Sequence, residues 1–354
     1  MEHAQISFDL VGSALREDIF SEEGILLLKK GTLLKEIHIL LLQKYRFGTT
    51  VSVDLNEDVD KHLPSAKPYQ SIHSYIKDSF QSFYKKNEIN LPEICKRYHS
   101  LIELSLCDFS ILKVIHTVGK KEEQLYQHSI NVGILSAIIG KLLGYKKSDC
   151  LLLANMGLFH EIGMLGINKS LTEKKGTLTP DERQQVQKHT EIGYKQLKTI
   201  PGLNRLIPLA ALLHHERING SGYPNQRKEG SIPFFVQIIS TADHFNTIYM
   251  NHQHDENKAN FTTIYSLIEE AHNNRLNPAI VIPFVKYMMQ QNLFQKVVLS
   301  NGEQAQIVFI HENEPYQPLV RMRNGFVDLR RESSLRIEGF VNEVEEDVEK
   351  YSFA

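Results

Sequence analysis

The chain has 354 residues, with 40 lysines and arginines against 42 aspartates and glutamates, so its formal net charge is −2. A chain of this length can bury a full-sized core and has room for two or three domains. The near balance of charge excludes the broad positive field that gathers nucleic acid or anionic membrane, so we expect neither as a main partner.

The cysteines and the N-terminus indicate the compartment. Cys95, Cys107 and Cys150 are scattered without CxxC spacing, which favours free core thiols over a disulfide framework. The N-terminus has no basic leader, and no apolar run approaches the roughly 20 residues that span a bilayer. The sequence therefore predicts a cytoplasmic protein.

Residues 1–65 predict a small mixed α/β domain. A strand is expected at 5–10 and another at 49–53, with a helix between them. The acidic stretch at 56–60 and the prolines after it are typical of a linker. We therefore place a domain boundary near residue 65.

Helical spacing dominates the middle of the chain, as a helical linker over 66–110 and a main domain over 111–292. An amphipathic helix is predicted at 126–143, because apolar residues recur along one face and Gly144 follows as a stop signal. This helix carries His128 in its first turn.

Three start signals place further helices. Thr179-Pro180-Asp181-Glu182 forms a capping box that opens a helix toward His189. Pro233 is expected to open the helix that carries Asp243, and Pro278 to open the last long helix.

Residues 293–354 predict a small β-module. Strands at 296–299 and 304–310 flank Asn301-Gly302, a dipeptide typical of hairpin turns. Further strand-like runs lie at 319–322, 326–329 and 335–341, and the tail after Asn342 is acidic. The expected fold class is thus mainly α, a central all-helical bundle flanked by small N-terminal α/β and C-terminal β-modules.

Five histidines and two carboxylates are spread through the helical region. They are His128, His160, Glu161, His189, His214, His215 and Asp243. A single histidine among the 16 in the chain would more often be a surface or hydrogen-bonded residue. Together, the seven form a sufficient ligand set for two catalytic divalent metal ions, with iron or manganese favoured and zinc or nickel also compatible.

His160 and Glu161 are the candidate catalytic residues, because both follow an apolar helix at its end. A bridging carboxylate can hold two cations about 3.5–4 Å apart, and Glu161 is the candidate bridge. The expected second site is His189, His214 and His215, and the expected first site is completed by His128 and Asp243.

The chain resembles the HD-GYP family, a branch of the HD metal-dependent phosphohydrolases that hydrolyse cyclic di-GMP. The matching stretches are Tyr126–Val132, Leu158–Gly163, Lys188–Gly193, His214–Pro224 and Ala242-Asp243. The resemblance implies that the seven residues are metal ligands. It also implies hydrolysis of the cyclic dinucleotide to pGpG by a hydroxide activated between two metals, with further cleavage to GMP left open.

The resemblance also implies that Arg217, Gly222, Tyr223 and Pro224 bind substrate. The glycine would permit a tight turn close to the metals, with Tyr223-Pro224 bracing it. The planar guanidinium of Arg217 suits either a phosphate or a guanine edge. The alternatives are an ordinary surface loop and a solvated arginine.

Several positions depart from the family pattern. Glu161 replaces the signature aspartate, Met164 replaces a lysine, and Gln124 replaces the glutamate of three-metal members. Asn219 replaces an aspartate, and Gln237 stands where an arginine is common. Gln124 is a poor anionic ligand, so a third metal is not expected. Loss of two cations near a dianionic ligand weakens transition-state stabilisation, so catalysis is in doubt.

Two alternatives therefore stay open. One is a catalytically impaired protein that binds a cyclic dinucleotide and acts as a signalling adaptor, with a homodimer or a signalling partner recruited by the flanking domains. The other is an enzyme for a different phosphate ester, such as a hybrid cyclic dinucleotide.

Overall fold

The structure is a computed structural model, and it describes residues 3–6, 10, 13–20, 26–32, 34, 38–39, 42, 50–54, 66–86, 88–107, 123–174, 176–252, 255–332 and 334–341. The chain divides into two compact units, Met1–Ala66 and Lys67–Ala354.

The first unit contains short antiparallel strands. They are β1 (His3–Gln5), β2 (Ala14–Leu15), β3 (Ile19–Phe20), β4 (Leu26–Leu28) and β5 (Thr50–Asp54). β5 pairs with both β1 and β2, while β3 pairs with β4. Buried apolar side chains, among them Leu34, Ile39 and Val51, give this unit a core of its own.

The predicted elements of this unit are recovered in part. The strand predicted at 49–53 corresponds to β5, whereas the one predicted at 5–10 meets β1 only at Gln5. Residues 38, 39 and 42 are helical, as predicted. Residues 7–9, most of the predicted helix and the predicted linker at 56–60 lie outside the described residues.

The second unit is built from helices. They are α1 (Ala66–Lys86), α2 (Leu91–Cys107), α3 (Gln124–Leu142), α4 (Lys147–Phe159), α5 (Lys169–Thr172), α6 (Pro180–Gln187), α7 (His189–Lys198), α8 (Leu206–Leu213), α9 (Phe234–His252), α10 (Glu256–His272) and α11 (Pro278–Gln291). Short 3-10 helices lie at Ile162–Gly166 and Glu229–Ser231.

The sequence signals for helix starts are confirmed. The Thr179 hydroxyl accepts a hydrogen bond from the backbone N–H of Glu182, whose carboxylate accepts one from the N–H of Thr179. The helix α9 follows Pro233 directly, and α11 begins at Pro278. These local signals need no tertiary contact, which explains why the sequence alone locates them.

The helix α3 differs from the prediction in two respects. It begins at Gln124 and not at 126, so His128 lies in its second turn. It is also buried almost all round and is not amphipathic, because α2, α4, α9 and α11 pack around it. A helix that is covered on every side needs no polar face.

The helices α3 and α4 approach each other closely at a pair of glycines. A Cβ atom added to Gly157 would lie 2.6 Å from the Cα of Gly133, which is closer than real Cβ contacts come. Only glycine allows this backbone approach. The close packing brings His128 of α3 near His160, which follows the last residue of α4.

The helices α1 and α2 belong to the same core as α3. The Tyr69 hydroxyl on α1 donates a 2.6 Å hydrogen bond to Asn131 Oδ1, and the Tyr98 hydroxyl on α2 donates a 2.9 Å bond to the carbonyl of Ile130. Both tyrosines are buried. The region predicted as a helical linker therefore packs on the helix that carries His128.

A five-stranded antiparallel sheet follows α11. Its strands are β6 (Lys296–Leu299), β7 (Gln304–Phe309), β8 (Leu319–Met322), β9 (Gly325–Asp328) and β10 (Ile337–Phe340), in the order β10-β6-β7-β8-β9. Asn301-Gly302 lies in the β6–β7 turn, as predicted. Val297, Ile307 and Ile337 of the sheet share the core of the helical unit. The acidic tail after Asn342 lies outside the described residues.

The predicted fold class, mainly α with small β-rich elements on either side, is confirmed. In the described part of the chain, no helix combines the length and apolar character needed to cross a bilayer.

Candidate metal centre

The seven side chains singled out in the sequence come together in two groups. His128, His160 and Asp243 form the first group; Glu161, His189, His214 and His215 form the second. Within each group the potential ligand atoms all lie within 4.8 Å of one another.

The first group is assembled from three helices around one carboxylate. Asp243 Oδ1 on α9 lies 3.1 Å from His128 Nε2 on α3 and 3.6 Å from Nε2 of His160. The two Nε2 atoms are 3.2 Å apart. Three donor atoms therefore point at one small volume.

The second group surrounds Glu161, which immediately precedes a 3-10 helix. Glu161 Oε2 lies 3.5 Å from His189 Nε2, and Oε1 lies 3.6 and 3.7 Å from the Nε2 atoms of His214 and His215. This set has more nitrogen donors than the first.

The two groups adjoin. His215 Nδ1 lies 3.9 Å from Asp243 Oδ2, and the His160 and His214 rings are 4.8 Å apart between centroids. The contacts pair Asp243 with the first group and Glu161 with the second. A bridging role for Glu161 stays a prediction.

Three of the imidazoles are oriented by main-chain carbonyls. His160 Nδ1 donates to the carbonyl of Gly157 (2.6 Å), His189 Nδ1 to Val186 (2.8 Å), and His214 Nδ1 to Ala210 (3.0 Å). A neutral imidazole carries one proton, so a proton on Nδ1 leaves the Nε2 lone pair free. Each of these rings is held in the form that a metal ion requires.

The charge states also suit cations. Burial raises the pKa of Glu161, but the nearby His189, His214 and His215 outweigh it and hold that pKa well below its usual range. The pKa of Asp243 is depressed in the same way by His128 and His160. Both carboxylates therefore stay ionised.

The histidine pKa values differ within the centre. Burial lowers the pKa of His214 to about 4, with His215 adding to the effect, so His214 is neutral at pH 7. Burial also lowers the pKa of His128, but its hydrogen bond to Asp243 outweighs this and raises the pKa overall. His128 is thus tied to a carboxylate, while His214 offers a neutral nitrogen.

The donor set fits divalent transition metals. Glu161 Oε2 is buried and has no hydrogen-bond partner among the described residues, which is costly unless a cation satisfies it. Imidazole nitrogens mixed with carboxylates suit zinc, iron, manganese or nickel. These side chains form a cluster that can bind metal.

The glycine-rich loop, Gly220-Ser221-Gly222-Tyr223-Pro224, packs against the second group. A Cβ atom at Gly222 would lie 2.4 Å from the carbonyl oxygen of His215, so no larger residue fits there. The Tyr223 ring stacks on the His215 ring, with centroids 4.6 Å apart. Pro224 follows Tyr223 and is the last of the predicted substrate-binding residues on this loop.

Glu216 folds this loop back on itself, a role that the sequence analysis missed. Its buried carboxylate accepts hydrogen bonds from the backbone N–H groups of Asn225 (2.7 Å) and Arg227 (2.8 Å). Glu216 directly follows the candidate ligands His214 and His215 and precedes the glycine-rich loop, and this position could have indicated its role. A buried carboxylate there needs backbone donors.

Arg217 is engaged within the protein. Its Nη1 donates to the carbonyls of His214 (3.2 Å) and Glu216 (3.1 Å), and its Nε lies 3.7 Å from Glu270 Oε2. These contacts hold the guanidinium beside the loop. Substrate binding by Arg217 stays a prediction.

The residues that depart from the family pattern have their own surroundings. Gln124 is exposed at the start of α3, and Met164 is half-buried in a 3-10 helix. Gln237 is buried, donating to the carbonyl of Ile232 and accepting from Asn277. Asn219 donates to the carbonyl of Asn273, so it braces the loop.

Comparison with known proteins identifies the helical region. Residues 114–280 match the HD domain family. This region of the chain is an HD domain. The resemblance to the HD-GYP branch that the sequence motifs carry is confirmed.

Two curated relatives carry names that state a substrate. The chain is 25% identical to cyclic di-GMP phosphodiesterase PdeB of Borreliella burgdorferi, over 84% of this chain and 83% of the relative. It is 28% identical to a cyclic di-GMP phosphodiesterase of Thermotoga maritima, over 60% of this chain and 58% of the relative.

A solved structure from Bdellovibrio bacteriovorus, described as an HDG"Y"P protein, resembles this HD protein in fold. The TM-score is 0.51, at 13% identity, over 80% of this chain and 98% of that chain. At this identity the likeness concerns the fold alone.

Proposed function

We propose that this HD protein is a metal-dependent phosphodiesterase that hydrolyses cyclic di-GMP to pGpG, with further cleavage to GMP left open. The observation that carries the proposal is the pair of adjoining donor groups around Asp243 and Glu161. The names of the two curated relatives support the substrate.

The proposed cofactors are two divalent transition metal ions, with iron or manganese favoured over zinc or nickel. The first group would hold one ion and the second group the other, with Glu161 as the candidate bridge. When bound, such ions supply a nucleophile at neutral pH and neutralise charge that develops on the phosphate. His160 and Glu161 are the candidate catalytic residues.

The chain's own residues prepare the site. Ionised Asp243 and Glu161 provide the negative charge that attracts cations, and the carbonyl-bound imidazoles keep their Nε2 atoms turned inward. The proposed substrate contacts are Arg217, Gly222, Tyr223 and Pro224, which lie on the loop beside His215. Because the metal-binding carboxylates and imidazoles are already in place, little reorganisation is needed when substrate arrives.

A second candidate is a receptor that binds cyclic dinucleotide without turnover. Met164 and Gln237 supply no positive charge, and the guanidinium of Arg217 already contacts Glu270 and two carbonyls. A dianionic ligand would therefore meet fewer free cations than the family pattern provides. The flanking modules, 1–65 and 293–354, would then act through a homodimer or a signalling partner in the cytoplasm.

Metal analysis and an activity assay separate the two candidates. Protein purified without oxygen is analysed for metal content, then incubated with manganese or ferrous iron and cyclic di-GMP. Appearance of pGpG, lost in Glu161→Gln, supports the phosphodiesterase. Tight nucleotide binding by calorimetry without product supports the receptor. The absence of both product and nucleotide binding would reject both candidates.

A panel with hybrid cyclic dinucleotides tests substrate choice. Faster cleavage of a hybrid than of cyclic di-GMP would reassign the substrate within the same reaction class.

A further inference from the structure

His128 differs from the three carbonyl-bound histidines in what holds its ring. Its Nδ1 lies 2.8 Å from the side-chain amide of Asn246, which is fully buried on α9 one turn after Asp243. A carbonyl oxygen can only accept a hydrogen bond. A carboxamide can accept through oxygen or donate through nitrogen, with almost the same shape.

The orientation seen here has the nitrogen of Asn246 facing His128. In that orientation His128 Nδ1 must accept, so its proton lies on Nε2 and points to Asp243 Oδ1 at 3.1 Å. This pair stabilises the centre without a cation, because Asp243 receives a hydrogen bond. It also removes the Nε2 lone pair that a metal ion needs.

The opposite orientation suits a bound cation. With Asn246 Oδ1 facing His128, Nδ1–H donates to the amide and the Nε2 lone pair turns toward Asp243 and His160. The other contacts of the Asn246 amide oppose this rotation little. Oδ1 has no hydrogen-bond partner among the described residues, and Nδ2 otherwise meets only the thioether of Met250 at 3.1 Å, a weak acceptor.

We propose that Asn246 is a positioning residue whose amide rotates when the first group takes up its metal ion, so that the His128 proton moves from Nε2 to Nδ1. The inference rests on the metal centre proposed above. It distinguishes His128 from the carbonyl-bound histidines, because main-chain carbonyls fix the imidazoles of His160, His189 and His214 in the ligand form, whereas His128 must change form. Metal binding at the first group therefore depends on Asn246.

Three variants test this role. Asn246→Leu keeps the approximate shape and removes both the donor and the acceptor. Asn246→Asp keeps an acceptor toward Nδ1–H, which fixes His128 in the ligand form. Met250→Leu removes the thioether contact and leaves the contact to His128, so it is the matched control for repacking around Asn246.

The measurement is zinc titration of apoprotein, because zinc is diamagnetic and also permits NMR of the same samples. The parent protein, Asn246→Asp and Met250→Leu are expected to bind two zinc ions per chain. Asn246→Leu is expected to keep one at parent affinity and to bind the other about 10–100-fold more weakly. In ¹⁵N-histidine spectra, the His128 signal, assigned with H128Q, should change from the Nε2–H to the Nδ1–H form on zinc addition.

The outcomes separate the two proposals. A parent protein that binds no zinc would reject the metal centre and the role of Asn246 with it. If the parent binds two ions and Asn246→Leu binds both with unchanged affinity, only the role of Asn246 is rejected. An unchanged His128 tautomer on loading, or an Asn246→Asp loss as large as that of Asn246→Leu, would overturn that role as well.

Discussion

The two donor groups are held by different kinds of structure. In the second group, His189 and His214 are fixed by carbonyls three or four residues earlier in their own segments, and His215 follows His214 directly. In the first group, His160 is fixed in the same way by the carbonyl of Gly157, but His128 is held by a side chain 118 residues away. Both groups draw donors from three segments, so the difference lies in His128, whose ring depends on the packing of α3 against α9.

This contrast has a practical consequence. A displacement of α3 should disturb the first group before the second, because α3 carries His128 and supplies no donor to the second group. A displacement of α7 should do the opposite, because α7 carries His189 and supplies no donor to the first group. Substitutions in or near the two groups test how far they respond separately.

The largest effects are expected from the two carboxylates. Asp243→Asn should remove the ion of the first group, because it deletes the charge on which those histidines converge. Glu161→Gln should remove the ion of the second group and weaken binding of the first, because Glu161 is the candidate bridge. Each variant should lose activity by at least about 10²-fold. Metal content by elemental analysis, together with rates of cyclic di-GMP cleavage, checks this. Unchanged affinity for the first ion in Glu161→Gln would show that Glu161 does not bridge the two ions.

A packing change at the α3–α4 contact should affect the first group selectively. The added methyl of Gly157→Ala would press on the backbone of Gly133, at a cost of about 1–3 kcal/mol in the free energy of unfolding. His128 and His160 would separate, so the first ion should bind more weakly while the second is retained.

Thermal melting and zinc titration measure these effects. Gly230→Ala is the control, since a Cβ at Gly230 meets no atom within 4 Å. Equal weakening of both ions in Gly157→Ala would show that the groups share one geometry.

The loop after the second group should respond in stability and in substrate binding more than in metal content. Glu216→Gln replaces an acceptor oxygen by an amino group opposite the N–H of Asn225 or Arg227. Loss of one charge-assisted hydrogen bond should lower the free energy of unfolding by about 1.5–3 kcal/mol. The Michaelis constant should rise and zinc stoichiometry stay the same. Loss of an ion in this variant would mean that the loop itself holds His215 in place.

The sequence revealed the donors better than their supports. The seven candidate ligands were found because imidazoles and carboxylates have distinctive chemistry, and the resemblance supplied their order. Asn246 and Glu216 were missed, since an asparagine or a glutamate becomes informative only when its partner across the fold is known. His128 was placed one turn too early on its helix because α3 starts without a side-chain cap.

The fold shows the same division. Local signals such as the capping box at Thr179 and the Asn301-Gly302 turn predicted element starts and turns correctly. Tertiary contacts were not predictable in the same way. The packing of α1 and α2 on α3 includes hydrogen bonds from buried tyrosine hydroxyls to Asn131 and Ile130. The spacing of apolar residues in the sequence does not predict such hydrogen-bonded pairs.

The smallest effect is expected from the capping box, which tests the local side of the contrast. Thr179→Ala removes the hydrogen bond to the N–H of Glu182 and should cost about 0.5–2 kcal/mol of stability. The carbonyl that holds His189 belongs to Val186, at the other end of α6, so zinc binding should be unchanged. Gln184→Ala, at an exposed site on the same helix, is the control. Weaker zinc binding in Thr179→Ala would mean that the second group relies on the whole of α6 and not on its last turn alone.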